Sequence, residues 1–333
     1  MIIRRIALAT LVTTASFAAG RPRVALGPQV AQAAATIRSV GDSLVIVSRA
    51  PTRVAMRNVD FKVADGIVLR IATLDGEMES KRAGVVDFDD KVSYVLDVDT
   101  AEVRLSTADL GNLMNHYIFA YPGAPLSKLS VSQRGSELGL TGIMHKGVDI
   151  PFDITSTVSL MPDHRMRLHP TRIKIFSVDG KKLMSALGLS LQKMLDLSKA
   201  KGVTVEKNDL LLDPLVVLPP PSIRGRIVAV RVDRDALVQV FGGVRAVALS
   251  PPDSAARNFM LYRGGTLHFG KLYMTDADLF IVDGNQTTPF DFDNDHYQKQ
   301  LIAGHSRTLP SLGLEVVMPD AASLVASRQN ADK

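Results

Sequence analysis

The sequence predicts an α+β protein built on long antiparallel strands, coiled into a strongly curved sheet, with two amphipathic helices and a β-rich C-terminal extension. Three observations predict this. Apolar and polar residues alternate over runs of 12 to 15 residues, longer than ordinary strands, and long antiparallel strands twist and coil. Only two segments carry an apolar stripe at helical spacing. Turn-forming pairs punctuate the remaining runs at hairpin spacing.

The composition is that of a folded chain, with 46% hydrophobic and 22% charged residues in 333. That length can bury a full core without disulfides or metals, and extensive intrinsic disorder is excluded. No uninterrupted apolar run reaches 18 residues, so a bundle of spanning helices is not expected. The absence of cysteine excludes disulfides, thiolate nucleophiles and cysteine metal sites. With no tryptophan and only 5% aromatic residues, base-stacking platforms are poorly supplied. The net charge of +5 owes much to Arg4, Arg5, Arg21 and Arg23. Setting these four aside reduces 39 basic residues to 35, against 34 acidic ones, and no nucleic-acid partner is expected.

Residues 1–33 read as a leader. Arg4-Arg5 precede an apolar segment of about 14 residues, Ile6 to Ala19, and Ala31-Gln32-Ala33 supplies a small-residue cleavage site. The expected location is therefore periplasmic or otherwise exported. Thr10, Thr13, Thr14 and Ser16 dilute the apolar segment, and the plainer alternative is a frayed N-terminus.

Strands follow at Leu44 to Val47, Val54 to Val63 and Ile67 to Lys81, the last two joined by an Asp65-Gly66 turn. From Val92 to Ser106, Tyr94, Leu96 and Val98 share one face and Asp97 and Asp99 the other. Thr107 is the expected N-cap of the first helix, with Asp109 suited to its positive end. Its stripe is Leu110, Leu113, Met114, Tyr117 and Ile118, and Tyr121-Pro122-Gly123 stops it. A four-strand meander spans 129–176. The second helix is expected over Asp179 to Ser198, with Leu183, Met184 and Leu187 followed by Leu191, Met194 and Leu195 along its stripe. Burying those six side chains is worth roughly 9–18 kcal/mol before entropy is subtracted, so the helix needs an apolar surface to lie on.

Short strands resume at Val203 to Val205 and Asp209 to Leu212. Pro219-Pro220-Pro221 is a stiff connector into a strand from Ile223 to Val232, paired across Asp233-Arg234-Asp235 with Leu237 to Phe241. Residues 243–258 read as a loop. Strands are expected at Thr266 to Phe269, Leu272 to Met274 and Leu279 to Val282, then a polar, aromatic stretch from Phe290 to Tyr297 and a frayed end from Ala321. The expected division is a leader at 1–33, a main domain at 34–242, and an extension at 243–333 that completes or caps its sheet.

Catalytic patterns are scarce. Ser198-Lys199-Ala200-Lys201 matches S-x-x-K by coincidence, at a polar helix end without companion motifs. Asp291, Asp293 and Asp295 are spaced as in a calcium loop, but His296 stands where that loop needs glycine, and they read as solvated acids. His164 and His169, five apart, point to opposite faces of a strand. His116, His268 and His305 have no partner assignable from spacing. Arg224, Arg226, Arg231 and Arg234, with Lys199, Lys201 and Lys207, read as a surface balanced by Asp209, Asp233 and Asp235. The alternative is a contact with anionic headgroups at a membrane surface. No catalytic residue, metal or cofactor is expected.

Residues 125–241 resemble the tubular lipid-binding superfamily, and within it the bacterial branch of small exported phospholipid-binding proteins. The resemblance is carried by Leu138-Gly139-Leu140-Thr141-Gly142, Val148-Asp149-Ile150-Pro151-Phe152, Leu168-His169-Pro170 through Ile175, and Leu187-Gly188-Leu189. The close, Asn208 through Asp213-Pro214 into the three prolines, fits as well. These are layout-level motifs covering about a third of the chain, and the long strands before the first helix and the segment after 242 depart from the pattern. The resemblance implies a sheet wrapped around the helices with an oily lumen between, the two helical stripes as its lining, and a phospholipid or similar amphiphile as ligand. Met114, Met184 and Met194 suit a surface that repacks around variable chains. The same residues would also serve a filled core, in an envelope structural or interaction protein of the same fold.

Overall fold

Hydrophobic alternation appears as strand almost throughout the computed structural model, which describes residues 35–40, 43–48, 50–82, 84–176, 192, 195–243 and 248–325. These belong to one compact unit, Ala34–Lys333, so the residues after 242 share the body of those before it. The protein is a β-rich α+β fold.

β1 (Ala35–Val40) and β2 (Ser43–Ser48) form a hairpin. β3 (Thr52–Ala64) and β4 (Ile67–Ser80) pair across the Asp65-Gly66 turn, the two-residue β5 (Val86–Asp87) intervenes, and β6 (Tyr94–Ser106) pairs with β4. Buried positions on β6 are Tyr94, Leu96 and Val98, then Ala101, Val103 and Leu105. The step from 98 to 101 would turn the second set to the opposite face of a regular strand. A bulge absorbs the extra residue: Asp75 faces Thr100 and Gly76 faces Val98, leaving Asp99 over. Gly76 is required there, because a Cβ would strike the Asp97 carbonyl.

α1 (Thr107–Leu113) continues directly from β6. Its cap is Ser106, one residue before the expected Thr107. The Ser106 hydroxyl accepts the Asp109 N–H, and the Asp109 carboxylate accepts the Ser106 N–H at 3.1 Å, a reciprocal capping box. Asp109 also accepts from Arg70 at 2.8 Å and from the Val68 N–H at 3.2 Å. The continuous α-helix expected through Ile118 is instead α1 followed by a π-turn, Met114–Ile118. Asn115 accepts the Leu129 N–H and donates to the Leu129 carbonyl, tying this turn to the next strand.

β7 (Leu126–Arg134), β8 (Glu137–His145), β9 (Asp149–Leu160) and β10 (Met166–Ile175) are the expected meander. β11 (Val203–Glu206) and β12 (Asp209–Leu212) join it, giving a six-stranded sheet in the order β11-β12-β10-β9-β8-β7. Most of the second helix lies outside the described residues. Its expected C-terminal turn is not helical, since 195–197 are irregular and 198–199 form a turn.

The strand expected from Ile223 to Val232 is two strands. β13 (Ser222–Gly225) runs parallel to β6 at Val95–Val98, whereas β14 (Ile227–Asp233) pairs with β15 (Ala236–Phe241), which itself lies along Ala101–Ser106 of β6. Gly225 makes the break. Its φ is 145°, and a Cβ there would lie 2.8 Å from the Val98 carbonyl oxygen.

The remaining strands are β16 (Phe259–Arg263), β17 (Thr266–Phe269), β18 (Leu272–Thr275), β19 (Asp278–Asp283), β20 (Phe290–Asp293), β21 (His305–Thr308) and β22 (Leu314–Met318), with α2 (Tyr297–Ala303) after β20. β16 pairs with β3 and extends the large sheet through β19, β22 and β21. The expected polar, aromatic stretch is core: Phe290, Phe292 and Tyr297 are buried and pack with Phe61, Phe88 and Phe269. The frayed end expected from Ala321 begins as a helical turn at 321–325, held by the Ala322 N–H donating to Asp291 at 2.8 Å.

Asp109 fixes the corner between β6, β4 and α1. Asp109→Ala removes a cap and a charge-assisted bond to Arg70, and the expected loss of stability is about 2 kcal/mol, read from denaturant unfolding midpoints.

Candidate functional site

Between the six-stranded sheet and the large sheet lies a cavity whose lining follows from strand alternation. On β9 its lining residues are Phe152, Ile154, Ser156 and Val158, every second residue. Their partners on β10 are Ile175, Ile173, Pro170 and Leu168 in that order. Ile173 and Pro170 are three apart, so one residue must slip for both to face inward. Thr171 is that residue: it has no partner on β9, and its hydroxyl donates to the Thr155 carbonyl at 3.2 Å. α1 and the π-turn close one side with Leu110, Leu113, Met114 and Ile118, and β6 and β15 contribute Leu105, Leu237 and Gln239.

A second chamber lies against the large sheet. β3 supplies Met56, Phe61 and Val63, β4 Leu69, Ile71, Leu74 and Met78, and β6 Tyr94, Leu96, Val98 and Val103. Here too the phase is corrected. Between Met56 and Val59 on β3 the buried face changes parity at Asn58, which takes φ 52°, and β4 slips against β6 between Ile71 and Thr73. Leu105, Leu218 and Gln239 border both chambers, so the two adjoin at these side chains, which form a waist between them.

No charged side chain lines either chamber among the described residues. The polar ones are Ser156, Gln239, Tyr94 and Tyr262. Burial pushes the Tyr94 and Tyr262 hydroxyls well above the usual tyrosine range, so both stay neutral. Tyr262 donates to the Met260 sulfur at 3.5 Å. Among the described residues the lining of both chambers is therefore apolar apart from these four side chains, and it carries no charge.

Of the residues expected from the sequence, Leu110, Leu113, Met114 and Leu195 border the first chamber. Tyr117 packs half-buried against the core and is not part of the lining. The π-turn is the reason: its wider pitch moves the residue one turn on out of the α-helical stripe. Leu183, Met184, Leu187, Leu191 and Met194 lie outside the described residues. Most of the lining comes from strands, which the expectation of two helical stripes did not include. Gln239 also escaped it, although a glutamine between Leu237 and Phe241 on an apolar strand face is a visible irregularity.

The other candidates resolve into structure. Asp293 accepts from Lys62 at 3.1 Å, Asp295 from Lys91 at 2.6 Å, and Asp291 from the Ala322 amide. His164 meets the Ile227 carbonyl and His169 meets Asp209, at separate places. His268 gains a partner the spacing could not show, Asp87 at 2.8 Å, and stacks on Tyr273. Asp89, beside that pair, accepts from Tyr297 and Gln298. In the basic cluster Arg224 pairs with Glu79 and Asp97, Arg231 with Glu102 and Arg234 with Asp233. Lys199, Lys201 and Lys207 are exposed. No described helix is long and apolar enough to cross a membrane.

Compared with models of known families, with curated proteins and with solved structures, the chain matches none.

Burial, with repulsion from Asp320 and Asp293 outweighing the Ala322 amide, holds Asp291 above the usual aspartate range. A raised carboxyl binds its proton more tightly in the fold than in the unfolded chain. Its contribution to stability is complete below the unfolded value of 3.8 and is lost as pH rises through the folded value. Asp291→Asn keeps the acceptor for Ala322 and cannot ionise. It should melt above the wild type at pH 7, with the gap closing as pH falls toward 3.8, in thermal melts across that range.

Proposed function

We propose that this chain is an exported, non-enzymatic carrier or sensor of a lipid or similar amphiphile, built as the tubular lipid-binding proteins are, with coiled sheets about a hydrocarbon lumen. The observation that carries this reading is the pair of apolar, uncharged chambers adjoining at one waist. A 16-carbon chain in water costs on the order of 12 kcal/mol, at about 0.8 kcal/mol per methylene, and a carrier must replace that water with a continuous dry surface. Branched and aromatic residues at alternate strand positions provide such a surface without a polar seam. Met114, half-buried on the π-turn, adds an unbranched side chain that adjusts to chains of different shape. An amphiphile's polar head would remain at the mouth while its hydrocarbon fills the chambers. Residues 1–33 would direct the chain out of the cytoplasm.

Native mass spectrometry of the exported protein, followed by organic extraction, tests the reading. A stoichiometric lipid adduct is expected, and a clean apo mass from several expression hosts would overturn it in favour of a structural role. Met114→Lys should abolish the adduct while keeping a cooperative melt, because the charge enters the lumen and not the packed layers.

A further inference from the structure

Gln239 stands at the waist of the cavity, and its surroundings show what the ligand must carry there. Its side chain shares a face of β15 with Leu237, which borders the first chamber, and Phe241, which borders the second. Its cross-strand partners are Val103 on β6 and Val230 on β14. Leu105 and Leu218 complete the waist. All six neighbours are apolar. The residue is 5% exposed, and among the described residues nothing hydrogen-bonds to its carboxamide. The strand backbone on both sides is engaged in sheet pairing, since β15 pairs with β6 and with β14.

A carboxamide that opens onto an apolar cavity and meets no protein partner among the described residues gains nothing there, and the apolar side chains around it indicate that a hydrocarbon residue fits this environment. Water answers the need poorly, because a buried water itself requires two to four polar partners. The amide also lies where hydrocarbon continues on either side of it. Resting on the lumen reading above, we propose that Gln239 recognises a carbonyl-bearing linkage, an ester or amide, set between two hydrocarbon arms, one arm in each chamber. The carboxamide N–H donates to the linkage carbonyl. Where the linkage is an amide, the carboxamide oxygen accepts its N–H as well. Gln239 then sets the register of the ligand along the lumen and selects linked chains over plain hydrocarbon or ether-linked ones.

The test uses two probes of equal length, palmityl palmitate and dihexadecyl ether, loaded from cyclodextrin onto the delipidated full chain. Occupancy is read by native mass spectrometry in direct competition. The wild type should favour the ester by about three- to tenfold, the range of one net hydrogen bond. Gln239→Leu should bind both probes, lose the preference, and melt no lower than the wild type. Gln239→Met serves the same comparison if the leucine variant does not fold. Equal occupancy of both probes in the wild type, or a preference that survives in the variants, overturns the assignment of Gln239 and leaves the lumen standing. Failure of either probe to enter the wild-type protein overturns the lumen reading itself.

Discussion

Side chains on a strand alternate between its faces, and the cavity depends on keeping that alternation in phase over strands of 10 to 14 residues. A slip of one residue would turn apolar side chains to solvent and polar ones inward. The sequence contains such slips, and at each the backbone absorbs the extra residue. Asp99 is bulged on β6 opposite Gly76, Thr171 is bulged on β10, and Asn58 turns the phase of β3 from a left-handed conformation. Glycine and asparagine stand where the backbone demands them. The lining therefore stays apolar over most of its length, with Ser156, Tyr94, Tyr262 and Gln239 as its polar side chains among the described residues.

The same slips organise the edges of the large sheet. Beyond its bulge, β6 exchanges one neighbour for another: β15 runs antiparallel along 101–106 and β13 parallel along 95–98. β3 does likewise, with β16 along 53–57 and β20 along 59–62. Each exchange brings a distant segment to the sheet where the strand bends, and β20 carries Phe290 and Phe292 into the aromatic core. The segment after residue 242 is thereby bound into the sheet.

Charge is arranged around this apolar interior in local pairs. Arg57 meets Asp75 at 2.9 Å, Arg70 meets Asp109, and Arg134 meets Asp153 at 2.5 Å, each linking strands or a strand to a helix. Arginines 224 and 231, clustered in sequence, are distributed in space among acids of β4 and β6. Partly exposed pairs of this kind contribute little stability individually. Their effect is to keep the polar face of each long strand turned outward and neutralised, which matters where a one-residue slip would bury it.

The strands from Thr52 to Ile175, their turns and the capped start of α1 were legible from residue order, because alternation, turn chemistry and capping are local properties. So were Leu110, Leu113, Met114 and Leu195 as cavity residues, since a stripe must face something apolar. Other features were decided only by tertiary contacts. The π-turn that removes Tyr117 from the lining and the break at Gly225 each answer to a neighbour on another strand, whereas the cap at Ser106 rests on Asp109, three residues on. The burial of Phe290 to Tyr297 depends on β3, some 230 residues earlier, and no local pattern encodes it. Gln239 interrupts an apolar strand face in the sequence, but its place between the two chambers follows only from the pairing of β15 with β6 and β14. Residue order alone determined which faces are apolar; only the pairing of distant strands decided which of those faces meet and which leave a space between them, because sheet register is a property of two chains of residues brought together and not of either one.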